Sequence, residues 1–304
     1  MRLALLFSGQ GGQTPAHWRQ LVDTGDTGLL SAVSAVVPEF HADKPSPSDW
    51  LAENKVAQPL IFAQQMVLWA ELRDRLPQPV CVAGYSLGEM AACCVAGAFS
   101  PIQGVGLCAM RAALMDQAAP GEYGMLAVLG LAEAQVARLA SAAGFAIAIR
   151  NAPRHLVLAG PQAARPELAN ALAAAGATRL VELAVRTPSH TARLVPAALA
   201  FGQHLAALAD ARLCCPVLSA IDATPARRAA PALAALARQL AEPLDWAACL
   251  QAIREMQPDA VLEIGPGNAL ARLFGELAPE IPVRASDDFR SCDGIVGWLA
   301  SCTG

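Results

Sequence analysis

The sequence predicts an α/β fold built on a parallel sheet, with a smaller unit inserted into it. Short apolar runs alternate with longer segments of helical spacing along most of the 304 residues. The runs are apolar throughout, which is typical of parallel strands covered by helices on both faces. The pattern changes between about residues 121 and 185, where two strands follow each other around a turn. A chain of this length has room for one large domain that carries such an insert.

The larger unit begins with an apolar strand, "RLALLFSG", which breaks at Gly9. The segment "QPLIFAQQMVLWAELRDRL" has helical spacing and ends before Pro77. A second strand, "PVCVAGYS", leads into a helix rich in small residues, "LGEMAACCVAGAF". Two later runs, "CCPVLSAI" (214–221) and "DAVLEIG" (259–265), are further strands of the predicted parallel sheet.

The inserted unit has the element order β-α-β-β-α-β. The strand "GMLAVLGL" precedes the helix "AEAQVARLASAAG", and "FAIAIRNAPRHLVLAG" forms two strands around a turn. The helix "QAARPELANALAAAG" and the strand "ATRLVELAV" follow. This order is that of the ferredoxin-like unit. We therefore predict a ferredoxin-like small domain over residues 122–185, within a larger core formed by residues 1–121 and 186–304.

The composition argues against several classes of protein. With 55% hydrophobic and 16% charged residues, the chain can bury a sizeable core. Its formal charge of −4 argues against binding to nucleic acid. No apolar run reaches the roughly 18 residues of a membrane span, and the first apolar stretch is too short for a secretory signal. The nine cysteines lack C-x-x-C spacing, so we expect free thiols in a reducing cytoplasm and no metal site.

The stretch "GYSLGEM" contains a serine in the pattern G-x-S-x-G, formed by Gly84, Ser86 and Gly88. A strand precedes it and a helix follows, as in the elbow that exposes a nucleophilic serine at the edge of a sheet. A serine becomes reactive only when a base removes its proton and donors stabilise the oxyanion. The same pattern also fits a serine in a small-residue packing contact, so the pattern alone leaves both interpretations open.

A glycine-rich loop, "FSGQGGQ", directly follows the first strand. It lacks the Lys-Ser/Thr of a phosphate-binding P-loop, and it fails G-x-G-x-x-G because Thr14 stands in the last position. The segment "GPGNAL" fails the same test at Leu270. Dinucleotide binding is therefore disfavoured. The first loop could instead bring the backbone N–H of Gln10 to the serine as an oxyanion donor.

Together these segments resemble the malonyl-CoA:acyl-carrier-protein transacylase family, the acyltransferases of fatty-acid and polyketide synthesis. The similarity covers essentially the whole chain, with the segments in the family's order: "FSGQGGQ", "QPLIFAQQ", "GYSLGEMAACCVAG", "MRAALMDQ", "RTPSHTARL", "RQLAEPLDW" and "LEIGPGNAL". The resemblance implies an α/β-hydrolase-like core with a ferredoxin-like insert, in agreement with the element order.

The resemblance also implies roles for individual residues. Ser86 is the expected nucleophile and His190 the expected general base. The backbone N–H groups of Gln10 and Leu87 are expected to form the oxyanion hole. Gln239 stands where the family orients the histidine with a main-chain carbonyl, which removes the need for a third, acidic residue. An unperturbed histidine predicts that activity falls on the acidic side around a pKa of about 6.5.

Three further residues are expected to bind the substrate. Arg111 matches the family residue that binds the free carboxylate of a malonyl group. The segment around it, "GVGLCAMRAALM", is so apolar that a charge there needs a partner. Gln58 and Asn151 match polar positions of the family.

Two residues depart from the usual family pattern. Tyr85 replaces the histidine that precedes the nucleophile, and Ser8 replaces a proline. Neither change removes a catalytic atom. The Gly-Tyr-Ser variant and the ending "DDFRSCDGIVGWL" resemble the branch that serves malonate decarboxylase. Subunits of that branch load malonyl from malonyl-CoA onto a dedicated carrier with a CoA-like prosthetic group, whereas the alternative is a malonyltransferase of fatty-acid or polyketide synthesis.

The resemblance therefore implies malonyl-CoA as substrate, an acyl carrier protein or malonate decarboxylase carrier subunit as partner, and no metal or redox cofactor. We expect a cytoplasmic enzyme that binds neither nucleic acid nor a membrane. Two alternatives are a serine esterase or thioesterase and an inactive docking subunit. Arg111 argues against the first, because a simple esterase has no need for a carboxylate-binding group, and the intact Ser86 and His190 argue against the second.

Overall fold

The computed structural model of the chain describes residues 1–23, 26–40 and 53–302. Within these ranges the strands form two sheets. The first contains β1 (Leu3–Phe7), β2 (Cys81–Gly84), β7 (Arg212–Leu218), β8 (Pro225–Arg228), β10 (Ala260–Ile264) and β11 (Val283–Ala285). The second contains β3 (Tyr123–Leu129), β4 (Ala146–Ala152), β5 (His155–Pro161), β6 (Arg179–Leu183) and β9 (Leu244–Asp245).

Helices separate most of these strands along the chain. They are α1 (Pro15–Asp23), α2 (Thr27–Val36), α3 (Asn54–Leu72), α4 (Gly88–Val95), α5 (Pro101–Ala118), α6 (Glu133–Ala142), α7 (Arg165–Ala174), α8 (Val195–Ala206), α9 (Ala229–Arg238), α10 (Trp246–Glu255), α11 (Ala269–Leu277) and α12 (Cys292–Ser301). The local sequence determines where some of these helices begin. At α5 the Ser100 hydroxyl accepts from the N–H of Gln103, the Gln103 side chain accepts from the N–H of Ser100, and Pro101 begins the helix.

The first sheet has the strand order β11-β10-β1-β2-β7-β8. Each pair from β11 to β7 is parallel, whereas β8 is antiparallel to β7. Every residue of β1, β2 and β10 is buried, as their continuous apolar runs predicted. The predicted parallel sheet is confirmed, with one antiparallel strand at its edge that the sequence did not indicate.

The second sheet has the order β6-β3-β5-β4-β9. The pairs β3–β6, β3–β5 and β4–β5 are all antiparallel, as the β-α-β-β-α-β order requires in a ferredoxin-like unit. The α/β fold class with a small second unit is therefore confirmed. The strand β9 comes from the larger unit, where Leu244 pairs in parallel with Ile149 of β4. The domain limits at residues 121 and 186 stay a prediction.

The apolar core is divided by the first sheet. Leu5 and Phe7 of β1 pack in one hydrophobic cluster with helices that include α3, α4 and α5, whereas Leu6 packs in a second cluster on the opposite face. The second cluster also contains Met125 of β3 and Ile149 of β4, so the small sheet packs against the larger one. Alternate residues of one strand thus fill two layers, and the two units share a buried interface.

Close packing at the turn between β2 and α4 requires glycine. A Cβ added at Gly88 would overlap the main-chain carbonyl of Phe7, and one added at Gly84 would overlap the backbone of the following helix. The first strand therefore lies against the start of α4 with no room for a methyl group.

We expect Gly88→Ala to destabilise the protein by about 1–3 kcal/mol or more, because the overlap is with backbone that cannot turn aside. Gly106→Ala is the matched control. It lies within α5 with open space around the added Cβ, so we expect it to be neutral or stabilising by about 1 kcal/mol. Urea unfolding of both variants measures the difference. Equal stability of the two would contradict the close approach at Gly88.

Candidate active site

The turn between β2 and α4 contains the predicted nucleophile. Ser86 stands just beyond the carboxyl end of β2 with a φ of 54°. A positive φ is uncommon for a residue with a side chain, and it belongs to the strand–turn–helix elbow that raises a serine hydroxyl above the sheet edge. Leu87 directly precedes α4, so its N–H lies at the helix N-terminus, where negative charge is favoured.

His190 approaches the serine from the segment between β6 and α8. Its Nε2 lies 2.9 Å from Ser86 Oγ, and its Nδ1 lies 2.5 Å from the carbonyl oxygen of Gln239. A carbonyl oxygen can only accept, so Nδ1 carries the proton and Nε2 is left to accept from the serine hydroxyl. The N–H of His190 donates to the carbonyl of Leu240 at 2.9 Å, where the histidine has a φ of 62°. The pair is arranged for removal of the serine proton.

Burial keeps the His190 ring neutral. Desolvation is the main cause that lowers the pKa of His190 to about 3. The hydrogen bond to the carbonyl of Gln239 opposes this change, and the positive charge of Arg111 adds to it. The neutral form is the one that can accept a proton from Ser86.

A buried arginine lies on the other side of the serine. Arg111 of α5 is 1% exposed, and its Nη1 donates to Gln58 Oε1 at 2.8 Å. Its Nη2 lies 3.4 Å from Gln239 Oε1 and 3.5 Å from Ser86 Oγ, whereas Nε has no hydrogen-bond partner. None of the ion pairs among residues 1–23, 26–40 and 53–302 involves this guanidinium.

The buried charge of Arg111, which forms no ion pair in the described ranges and has only the more distant carboxyl of Glu89 of opposite sign acting on it, marks a place for an anion. Burial lowers the pKa of Arg111 to about 10, so the guanidinium is still charged at neutral pH. A buried charge without a partner of opposite sign is unfavourable. A ligand carboxylate beside Ser86 would supply that partner with two parallel hydrogen bonds.

These groups face one cavity between the two sheets. Its polar side is formed by residues that the sequence predicted, namely Gln10, Gln58, Ser86, Leu87, Arg111 and His190. Apolar side chains of the small sheet close the opposite side: Met125 of β3, Ile149 of β4 and Leu183 of β6. The cavity thus opens at the carboxyl ends of β1 and β2, where parallel sheets commonly bind ligands.

Two predicted residues lie beside the cavity and do not line it. Gln239 follows α9, with its carbonyl towards His190 and its amide towards Arg111. Asn151 of β4 is buried, and its Nδ2 lies 3.4 Å from His155 Nε2. Its side chain also hydrogen-bonds to Tyr85, which lines the cavity, and its role in substrate binding stays a prediction.

Residues 5–277 match the family model described as "Acyl transferase domain". The chain belongs to this acyl transferase family. The match spans most of the sequence, and it confirms the family resemblance of the sequence segments.

Named relatives of this acyl transferase are similar over nearly their whole length. A protein of Mycobacterium bovis named "Malonyl CoA-acyl carrier protein transacylase" is 32% identical over 93% of this chain and 95% of its own. A protein of Salmonella typhimurium with the same name is 29% identical over 94% of this chain and 96% of its own.

Solved structures share the fold. A malonyl-transacylase in complex with a type II PKS acyl-carrier protein gives a TM-score of 0.88 at 27% identity, over 98% of this chain and 99% of that one. A structure described as MCAT from Streptococcus pneumoniae gives a TM-score of 0.84 at 28% identity, over 97% of this chain and 99% of that one.

Two polar residues near the site of this acyl transferase were not predicted from the sequence. Glu89, in the first turn of α4, is fully buried and accepts from Gln239 Nε2 at 2.7 Å. Asn54 lines the cavity, and its Nδ2 donates to Asp116 and Thr187. The signal for Glu89 was available, since it is a carboxylate within an otherwise apolar helix three residues after the serine.

Over the ranges that the structure describes, no helix of this acyl transferase is long and apolar enough to cross a membrane. In the same ranges, no group of three or more His, Cys, Asp or Glu side chains is placed to hold a metal ion. The cysteines in these ranges are all free.

Proposed function

We propose that this acyltransferase moves a malonyl group from malonyl-CoA to the thiol of an acyl carrier protein through a malonyl-Ser86 intermediate. The named relatives, and the solved complex of a malonyl-transacylase with its acyl-carrier protein, support the substrate and the partner. The contact between Ser86 and His190 supports the covalent route.

One observation favours malonyl over an uncharged acyl group. Arg111 is buried and charged beside the serine, and its hydrogen-bond partners, Gln58 and Gln239, are neutral. A malonyl thioester has a free carboxylate two carbons from the reacting carbonyl. Bound by Arg111, that carboxylate would neutralise the guanidinium and fix the carbonyl near Ser86 Oγ.

In the first half-reaction, His190 Nε2 takes the proton of Ser86 while Oγ attacks the thioester carbonyl. The oxyanion that forms is stabilised by the N–H groups of Gln10 and Leu87. The carbon–sulfur bond then breaks, and the histidine returns the proton to the leaving CoA thiolate. The carbonyl of Gln239 holds the ring through Nδ1, which also stabilises the transient imidazolium.

In the second half-reaction, the carrier thiol enters the position that CoA has left. His190 removes its proton, and the thiolate attacks the malonyl ester on Ser86. The ester bond breaks and the proton returns to Oγ. Both half-reactions use the same base and oxyanion hole. Because CoA leaves the malonyl-enzyme before the carrier thiol enters, the mechanism is ping-pong.

Radiolabelled malonyl-CoA, with and without a carrier, tests this proposal. We expect a stable label on the protein that a thiol carrier removes. Rapid release of free malonate would indicate a thioesterase, and no label at all would indicate an inactive docking subunit. Either result would overturn the proposed transferase activity.

The pH dependence should differ from that of an ordinary histidine. Because burial lowers the pKa of His190 from its usual value of about 6.5, the base stays neutral in weak acid. We expect kcat/KM for malonyl-CoA to hold nearly constant from pH 7 to about pH 5, and to fall only as the pH drops through the lowered pKa. A pH profile of wild type and of His190→Ala checks this. A wild-type midpoint near 6.5 would contradict the buried, neutral ring.

For the carrier, we propose the dedicated subunit of malonate decarboxylase. The support is the Gly-Tyr-Ser variant and the C-terminal sequence "DDFRSCDGIVGWL". Tyr85 lines the cavity, and its ring packs edge-on against Trp246 with centroids 5.3 Å apart. A larger ring than histidine therefore shapes the wall beside the nucleophile. The alternative is an acyl carrier protein of fatty-acid or polyketide synthesis.

The two carriers can be compared directly as acceptors. We expect a higher kcat/KM with the malonate decarboxylase carrier, which bears a CoA-like prosthetic group, than with a fatty-acid carrier. The reverse order would favour fatty-acid or polyketide synthesis and leave malonyl transfer itself intact.

A further inference from the structure

The side chain of Gln239 joins the groups of the proposed reaction, and Glu89 fixes its orientation. The amide of Gln239 directs Oε1 towards Arg111 Nη2 at 3.4 Å. Its Nε2 donates to the carbonyl of Ser86 at 3.1 Å and to Glu89 Oε2 at 2.7 Å. The carbonyl of the same glutamine accepts from His190 Nδ1. One residue therefore contacts the nucleophile, the base and the arginine.

Glu89 lies beneath this residue, on the side away from the cavity. Its side chain is fully buried in the first turn of α4. Oε2 accepts from Gln239 Nε2 and from the N–H of Ala220 at 3.3 Å, whereas Oε1 has no hydrogen-bond partner. An acceptor at Oε2 allows only one orientation of the Gln239 amide, because the opposite orientation would set two acceptor oxygens against each other.

We propose that Glu89 is a positioning residue for the proposed malonyl transfer. It holds the amide of Gln239 with its oxygen towards Arg111 and thereby aligns the arginine for a substrate carboxylate. Without Glu89, the carbonyl of Ser86 at 3.1 Å is the one remaining acceptor for Gln239 Nε2 among its contacts in the described ranges, and the amide oxygen is held less firmly towards the guanidinium. This inference rests on the proposed function, because it concerns selection of an acyl group with a free carboxylate.

The acceptor position of Glu89, and not its charge, performs this role. Burial raises the pKa of the Glu89 carboxyl to about 8, and a proton on this group belongs on Oε1, because Oε2 already accepts from Gln239 Nε2 and from the N–H of Ala220. A glutamine at this position offers a carbonyl oxygen at the same reach. An aspartate can carry the charge but is one methylene shorter, so it cannot meet both Gln239 and Ala220 without movement of the backbone.

We expect opposite results from two substitutions, Glu89→Gln and Glu89→Asp. Glu89→Gln should keep the ratio of kcat/KM for malonyl-CoA to that for acetyl-CoA within about twofold of wild type at pH 7. Glu89→Asp should lower this ratio by about tenfold to 100-fold, the effect expected for one misplaced hydrogen bond to a charged group. The result would overturn the proposal if Glu89→Asp kept the wild-type ratio or if Glu89→Gln lost it.

A double-mutant cycle with Gln239→Leu tests whether Glu89 acts through Gln239. Gln239→Leu should lower the same ratio, and its combination with Glu89→Asp should lower it no further. Additive effects would contradict the proposal. If Glu89→Asp does not fold, the ratio in Gln239→Leu tests the proposal by itself. An unchanged malonyl to acetyl ratio in Gln239→Leu would show that Glu89 cannot act through the Gln239 amide.

Glu263→Asp is the matched control for a merely structural effect. Glu263 is also a fully buried carboxyl, and it accepts from Ser8 Oγ at 3.0 Å and from the N–H of Ala271 at 2.7 Å. We expect this variant to unfold at lower temperature without a change in the malonyl to acetyl ratio. A similar fall of the ratio in Glu263→Asp would contradict a specific role for Glu89.

The substrate preference of the wild-type enzyme distinguishes the proposed function from the proposed role of Glu89. A preference of wild type for malonyl-CoA supports the proposed function, and the change of that preference at position 89 tests the positioning role alone. A wild-type enzyme with no preference would overturn both.

Discussion

In Ser86→Ala we expect the covalent malonyl-enzyme to disappear and malonyl transfer to fall by on the order of 10⁶-fold in kcat, as when a serine nucleophile is removed from a serine–histidine pair. The physical reason is that His190 Nε2 and the oxyanion donors are left without an attacking oxygen. Alanine keeps the Cβ of serine, so the elbow and its positive φ gain no new clash. Intact mass after incubation with malonyl-CoA measures the adduct.

Ser189→Ala is the control for this result. Ser189 precedes the histidine and lines the same cavity, but its hydroxyl lies 3.5 Å from the carbonyl of Thr187. We expect this variant to form the adduct. An adduct that persists in Ser86→Ala, or that is lost only in Ser189→Ala, would place the nucleophile elsewhere.

Arg111→Ala should lower kcat/KM for malonyl-CoA by on the order of 10²-fold or more. Hydrogen bonds to charged groups contribute roughly 1.5–3 kcal/mol each, and the guanidinium offers two of them to one carboxylate. Acetyl-CoA should lose little activity or gain some, because wild type must bury the unpaired charge of Arg111 when this substrate is bound. The preference for malonyl over acetyl should therefore flatten or invert.

Arg111→Lys separates charge from shape at this position. A compact ammonium keeps the charge but cannot present two parallel N–H groups, so we expect only partial restoration of the malonyl preference. The measurement is kcat/KM for both thioesters with wild type and both variants. If Arg111→Ala lowers the two substrates equally, the arginine is structural and the malonyl assignment loses its main physical support.

The central strands of the two sheets could be predicted from the sequence, whereas the shortest edge strands could not. The strand β1 is apolar at every position and β10 at every position but Glu263, because both strands are buried on both faces, and this leaves a clear pattern. The missed strands are β8, β9 and β11, with four, two and three residues. Segments this short become strands through pairing with a neighbour, and their own sequence carries no period that would indicate it.

The site, too, was only partly predictable from the sequence. The residues that belong to recognisable segments meet around one cavity, among them Ser86, His190 and Arg111. The sequence indicated only the main-chain carbonyl of Gln239, because the contacts of its amide depend on α4 and α5 meeting the end of α9. The family pattern alone indicates Asn151, and in the structure this residue contacts His155 within the small sheet and Tyr85 beside the cavity.

The left-handed backbone of Ser86 and His190 also bears on how this sequence can change over evolutionary time. They are two of the four non-glycine residues with positive φ in the described ranges. Such a conformation costs a residue with a side chain about 1–2 kcal/mol, and glycine would largely relieve it. At Ser86 the change to glycine would remove little more than a hydroxyl and its contacts with His190 and Arg111, so the folded chain would gain stability. At His190 the same change would also empty a buried position, and the cavity would cost more than the relieved strain. The serine is therefore the residue of the pair that this fold carries at the expense of its own stability.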